Sequence, residues 1–285
     1  MNEGHNTGFS NVYQNPTRAE AYAKLKFDNT YYLAYRDLPS ILSKYASGKN
    51  ALDFGCGTGR STRFLQTLGY HTIGVDISEE MITIARHLDP AGAYYRIDDG
   101  DFSTLSSSSF DLLLSAFTFD NIPTIDKKIR LFKSLSDLLT NQGTIINLVS
   151  SPEMYTHEWA SFTTKDFPEN HTAKTDDIVR IITTDIADKR PCYDIFCFEE
   201  DYTAVYSKAH LRIIDKYKPL ATGTEPYQWK NETRIAPWTI YVLKRKSNRH
   251  LPKSNTYLIS NPYPDSNSSV NLETKRTNGP PSTIL

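Results

Sequence analysis

The chain has 285 residues, a formal net charge of −1 and three cysteines. That length suits one α/β domain with insertions, or one domain plus a tail. The balanced charge gives no whole-chain basic excess for a phosphate backbone, so nucleic acid is not an expected partner, while a local patch stays open.

Cys56, Cys192 and Cys197 make neither a disulfide framework nor a Cys-x-x-Cys metal pair. No metal site is expected, and reduced thiols point to a cytoplasmic location. Residues 1–5 are polar, so no secretory signal is visible. No stretch approaches the ~18 apolar residues of a membrane span, so no membrane partner is expected.

In chain order, residues 1–16 read as a loose arm. Residues 17–35 are compatible with helix and carry Tyr22, Leu25, Tyr31, Tyr32, Leu33 and Tyr35. Asp37 predicts an N-cap, with Pro39 just inside a short helix ending near Tyr45. Residues 1–48 thus form an N-terminal arm or cap. A first strand is predicted over 50–54, a helix over 61–68 closed by Gly69, and a second strand over 72–76. Ser78 is placed to cap the next helix, with Glu79 and Glu80 in its first turn.

A third strand is predicted at 94–97. Residues 110–116 are a near-continuous apolar run, as in a central strand buried on both faces. A helical stripe follows over 126–139, then a fifth strand at 143–149. Strands alternating with helices imply a doubly wound parallel sheet. After 150 the alternation breaks. Residues 151–198 read as polar, aromatic and irregular. A helix is predicted over 199–209, then strands at 211–217 and 238–243 with no helix between them, hence antiparallel. The domain is expected to span 49–246, with 151–198 as a lid or substrate insertion. Residues 247–285, rich in Asn, Ser, Pro and Thr, are expected to be a disordered tail.

The turn at 51–59 carries the most information. Ala51-Leu52 leads to Asp53, and glycines follow at 55, 57 and 59. A strand that turns into a helix on bare backbone makes a nucleotide-sized notch. The dinucleotide fingerprint is Gly-x-Gly-x-x-Gly with an acidic residue ~20 positions on. Asp76 meets the second requirement. The third glycine, however, comes one residue early, and Arg60 stands where that fingerprint has Gly or Ala.

Written as Asp-x-Gly-x-Gly-x-Gly, the turn resembles that of the class I S-adenosylmethionine-dependent methyltransferases. The resemblance covers about residues 20–245, and is most specific at 52–59 and 73–78. It implies a seven-stranded, mostly parallel sheet with an antiparallel C-terminal edge pair. It also implies S-adenosylmethionine as cofactor and S-adenosylhomocysteine as product. In the resemblance, Asp53 lies near the cofactor's ammonium group. Gly55, Cys56, Gly57, Thr58 and Gly59 form the turn. Asp76 takes the ribose hydroxyls, and Ile77 lies against the adenine. Of the aspartates at 98, 99 and 101, Asp101 is favoured for the adenine amino group, with Phe102 supplying a neighbouring backbone donor. Ser115 and Phe117 resemble the wall beside the methionine part, and Tyr22 is placed to fold over the pocket.

Ligands in open parallel sheets lie beyond the carboxyl ends of the strands. Two aromatic loops, 151–198 and 218–237, are expected to converge there and enclose a small, partly apolar acceptor. Tyr155, Trp159, Tyr227 and Trp229 are the candidate acceptor contacts. His157, His171, Glu225 and Glu232 are the candidate general bases by position, none with a motif behind it. The favoured reading is methyl transfer to an O or N atom of a small molecule. Alternatives are a protein or tRNA methyltransferase, an NAD(P)-dependent oxidoreductase and a catalytically silent cofactor-binding protein. A monomer or homodimer is expected.

Overall fold

The structure is a computed structural model, and it describes residues 15–246. The expected tail at 247–285 and most of the expected arm at 1–16 lie outside that range. Three short helices come first: α1 (Pro16–Tyr22), α2 (Thr30–Arg36) and α3 (Leu38–Tyr45). The single helical stretch expected over 17–35 is thus two helices. Asn15 starts α1, its side chain accepting from the Thr17 and Arg18 amides, and Asn29, with φ 53°, turns the chain into α2.

The alternating core follows: β1 (Asn50–Phe54), α4 (Arg60–Thr67), β2 (His71–Asp76), α5 (Glu79–Leu88), β3 (Ala93–Arg96), β4 (Phe110–Ala116), α6 (Ile125–Leu138) and β5 (Leu139–Ser150). The insertion contributes β6 (Phe162–Thr163), β7 (Ile178–Thr183) and β8 (Cys192–Ile195). The chain then closes with α7 (Glu199–Lys208), β9 (Leu211–Tyr217) and β10 (Trp238–Arg245).

Seven strands form one sheet in the order β3-β2-β1-β4-β5-β10-β9. β1 to β5 are mutually parallel, and β10 runs antiparallel to both β5 and β9. The doubly wound, mostly parallel sheet with an antiparallel edge pair is therefore as expected. The strand order reverses between β1 and β4, which locates the crevice above their carboxyl ends.

Alternation along each strand sends neighbouring residues to opposite faces. Ala51, Leu112, Leu114, Ile146, Leu148 and Ile240 pack on one face with Leu33, Leu42 and Leu65 from α2, α3 and α4. Leu52, Leu113, Ile145 and Leu243 pack on the other with Phe132 and Leu135 of α6 and Tyr206 of α7. Each buried Leu or Ile contributes about 1.5–3 kcal/mol by leaving water. The central strands, covered on both faces, anchor the loops at their ends.

The insertion departs from expectation. Residues 151–198 are not irregular: β6, β7 and β8 form a separate antiparallel sheet. In β7, Val179, Ile181 and Thr183 are buried at alternate positions. That period-2 pattern is short, and its partners are two and four residues long, so little of it stands out in the sequence.

Candidate active site

The site begins at the glycine turn. Gly55, Gly57 and Gly59 all have positive φ, 71°, 52° and 78°. At Gly55 a Cβ would sit 2.2 Å from Thr118, whose hydroxyl donates to the Phe54 carbonyl at 2.8 Å. Glycine there lets the loop after β4 close onto the turn.

Asp76, at the end of β2, accepts from the Gly57 amide at 2.8 Å and from the Ser78 amide at 2.9 Å. Ser78 caps α5 by accepting from the Met81 amide. Burial pushes the Asp76 carboxyl up, while these backbone amides pull the other way.

Above the turn lies a cavity of about 340 Å³. Its β1–β3 side is walled by Gly55, Gly57, Asp76, Ile77, Met81 and Ile97, with Asp99 among them. A carboxylate with spare lone pairs, an apolar slot and a further carboxylate suit a nucleoside: paired ribose hydroxyls, a flat base and an exocyclic amine. These residues fit an adenosyl cofactor.

The other end of the cavity is walled by Phe117, Asp120, Ser150, Met154, Phe162, Ile181, Asp194 and Trp238. Phe117, with φ 65°, is a non-glycine residue in the left-handed region. Such backbone costs about 1–3 kcal/mol and persists where the surroundings hold it. Here the Phe117 amide donates to the Leu148 carbonyl at 2.8 Å, and its ring lies 4.7 Å from that of Trp238.

Several expected residues meet at this cavity: Tyr22, Gly55, Gly57, Asp76, Ile77 and Phe117 all line it. Cys56, Thr58 and Gly59 support the turn from behind. The Cys56 thiol lies against the Gly57 carbonyl, and the Thr58 carbonyl accepts from Arg63.

Asp53 is corrected. It is fully buried beneath the turn, with Oδ2 accepting from Ser61 and Thr62 hydroxyls at 2.6 Å each. Because Gly59 offers α4 no side-chain cap, Asp53 braces the first turn of that helix. Its carboxyl is pushed up to about 6 by burial, against the pull of the two hydroxyls.

Asp101 is corrected too. It is exposed and its Oδ1 accepts from the Ser103 amide at 2.8 Å. That local turn takes up the carboxylate, and Asp99 lines the cavity instead, ion-paired with Lys127. Phe102 packs on Phe54 inside the core, and Ser115 is fully buried; neither reaches the cavity.

The acceptor contacts also fall elsewhere. Tyr155 and Trp159 are buried behind the wall, Trp159 donating to the Met154 carbonyl at 2.9 Å. Tyr227 packs on Tyr32, and Trp229 donates to Glu225, both away from the cavity.

None of the four candidate bases lines the cavity. His157 is held by Thr156 and the Glu153 carbonyl, and His171 is exposed. Glu225 pairs with Arg36 at 3.2 Å. Glu232 is fully buried and ties three segments together, accepting from Thr30 Oγ1 and the Ala160, Lys230 and Asn231 amides.

Tyr31, Lys127 and Asp194 also line the cavity, unassigned by the sequence, together with Asp120, in the segment after the predicted strand over 110–116, and Trp238, at the start of the predicted strand over 238–243. Asp194 had no such signal, because β8 was not foreseen.

Among the described residues no cluster of His, Cys, Asp and Glu could hold a metal ion, and no helix is long and apolar enough to cross a membrane.

Comparison with known proteins bears on this site. A family described as "Methyltransferase domain" matches residues 52–147, the stretch from β1 through most of β5. An uncharacterised protein of Haemophilus influenzae is 30% identical over 148 residues, 47% of this chain and 56% of that protein. An uncharacterised methyltransferase of Bacillus mycoides is 34% identical over 114 residues, 39% of this chain and 51% of that protein. The chain thus spans about half the length of these curated relatives. A crystal structure of an S-adenosylmethionine-dependent methyltransferase from Clostridium acetobutylicum superimposes with a TM-score of 0.54 at 16% identity, covering 83% of this chain and 97% of that one. The glycine turn that departs from the dinucleotide spacing and the acidic β2 end tied to it thus lie in the stretch, residues 52–147, that matches a family described as "Methyltransferase domain", on a fold shared with a solved S-adenosylmethionine-dependent methyltransferase.

Proposed function

We propose that the protein transfers a methyl group from S-adenosylmethionine to an O or N atom of a small molecule. The observation that carries this reading is the cavity that runs, among the described residues, from Asp76 to Asp194 with residues of the insertion in its wall. S-adenosylmethionine supplies an electrophilic methyl on a sulfonium when bound.

On the cofactor side, Asp76, Ile77, Asp99 and the Gly55–Gly59 turn hold the adenosine. Tyr22 and Tyr31 of the N-terminal segment line the same cavity and cap it. On the acceptor side, Phe117, Met154, Phe162, Ile181 and Trp238 give an apolar, aromatic wall that excludes water and orients the nucleophile. Orientation and exclusion of water supply most of the rate in such a displacement.

The insertion supports the small-molecule reading by adding Met154, Phe162, Ile181 and Asp194 to the wall beside the cofactor half. The test is incubation of the protein and methyl-labelled S-adenosylmethionine with a fractionated cell extract. Label is expected in the low-molecular-weight fraction. Label confined to protein or tRNA would overturn the small-acceptor reading, and cofactor binding with no labelled product would favour a silent binder.

A further inference from the structure

Two carboxylates stand in the acceptor half of the cavity, and the fold gives neither a full set of partners. Asp120 lies on the short 3₁₀ turn after β4 (Thr118–Asn121), and Asp194 lies on β8. Both line the cavity wall. Oδ2 of Asp120 accepts from the Ser150 amide at 3.0 Å and from the Ser150 hydroxyl at 2.8 Å. Oδ2 of Asp194 accepts from the Tyr155 hydroxyl at 3.1 Å. The Oδ1 atom of each takes no hydrogen bond from the described residues.

The cation whose charge bears on both is Lys128 of α6. It is fully buried, donates to the Ile122 carbonyl and does not line the cavity. Cys197, Asp176, Tyr155, Tyr202 and Tyr206 are further titratable groups that bear on it or on the two carboxylates. Burial pushes Asp120 up, burial and the charge of Asp120 push Asp194 up, and burial pushes Lys128 down. On the open side the lining lysine, Lys127, is ion-paired with Asp99, which leaves Asp120 and Asp194 without a cation of their own there among the described residues.

That side is aromatic. The rings of Tyr31, Phe117, Phe162 and Trp238 form one cluster, with Tyr31 and Phe162 centroids 5.2 Å apart and Phe162 and Trp238 5.8 Å apart. All four line the cavity. Carboxylates set against aromatic faces suit an organic cation, since ring faces attract positive charge. A phenolate or carboxylate acceptor would meet repulsion there.

We infer that the methyl acceptor is a protonatable amine and that Asp120 and Asp194 receive its nitrogen. This rests on the methyltransferase reading above. The ammonium gives a proton to the carboxylate pair, freeing the nitrogen lone pair. The lone pair forms the new N–C bond as the C–S bond of the methyl donor breaks, its electron pair staying on sulfur. The product leaves as a methylated ammonium, and the proton passes from the carboxylate to water.

The test uses the full chain saturated with S-adenosylhomocysteine, read by thermal shift and calorimetry near neutral pH. The probes are phenethylamine and cyclohexylmethylamine, each against its alcohol isostere. The amines are expected to stabilise the complex and the alcohols not. Asp120→Asn and Asp194→Asn should each weaken amine binding about tenfold or more, with S-adenosylhomocysteine affinity within about twofold of the native chain. That second measurement also reports whether each variant is folded. Equal responses to amines and alcohols, including no response to either, would overturn the assignment, as would amine binding unchanged in both variants. Failure of S-adenosylhomocysteine to bind would instead strike the methyltransferase reading itself.

Discussion

The Gly57 amide donates to Asp76 Oδ2 at 2.8 Å, so the glycine turn after β1 and the acidic end of β2 form one unit. The other oxygen of Asp76 takes the Ser78 amide at the start of α5. One carboxylate thereby sets the positions of two helix entrances and still faces the cavity. Its remaining lone pairs are the natural partners of vicinal hydroxyls.

Arg60 links this turn to the N-terminal segment. Its guanidinium lies 4.6 Å from the Tyr31 ring centroid and 5.5 Å from that of Tyr22, and it donates to the Lys26 carbonyl at 3.0 Å. Each such stacking is worth about 0.5–2 kcal/mol, and a planar guanidinium serves it better than an ammonium. Arg60→Ala is expected to loosen α1 and weaken S-adenosylhomocysteine binding, with Arg60→Lys between it and the native chain. Hydrogen exchange over residues 16–36 and calorimetry check this. Unchanged exchange in Arg60→Ala would remove the role.

Glu232 is a structural anchor and not a base. Its four hydrogen bonds join α2, the insertion and the loop before β10. Hydrogen bonds to a charged group contribute about 1.5–3 kcal/mol each, so Glu232→Ala should cost about 3 kcal/mol or more. Denaturant unfolding measures the loss. A stable variant that binds S-adenosylhomocysteine normally but cannot turn over would reinstate Glu232 in the chemistry.

Stability should depend on pH through Asp53. Burial raises its carboxyl from 3.8 to about 6, opposed by the Ser61 and Thr62 hydroxyls and reinforced by the charge of Asp76. Between those values the folded chain keeps a proton that the unfolded chain has released. Its contribution is complete below the unfolded value and disappears as pH rises through about 6. Asp120 and Asp194 shift in the same direction and extend the trend upward. The melting temperature of Asp53→Asn should therefore fall less over this range than that of the native chain. Parallel curves would show that Asp53 is not held this way.

Much of the fold was legible because its signals are local. The apolar run of β4, the glycines at 55, 57 and 59, and the Ser78 cap each announce themselves within a few residues. The site was legible where it follows the strand ends, at Asp76, Ile77 and Phe117. It failed where a local turn competed, as at Asp101, whose carboxylate caps the Ser103 amide while Asp99 faces the cavity. It failed again where partners are distant. Asp194 depends on β8 pairing with β7, and Glu232 depends on Thr30, 202 residues away. Residues 151–198 read as irregular because β6, β7 and β8 are short, and which of their rings face the cavity is set by that pairing.

The central claim is that the Gly57–Asp76 unit holds an adenosyl cofactor. Calorimetry with S-adenosylhomocysteine on the full chain and on Asp76→Ala tests it most directly. The account predicts one binding event per native chain, no response to NAD, and at least about tenfold weaker binding in the variant, as expected when a carboxylate that accepts ligand hydroxyls is removed. Equal affinity in the two proteins, or binding of NAD in place of S-adenosylhomocysteine, would contradict it.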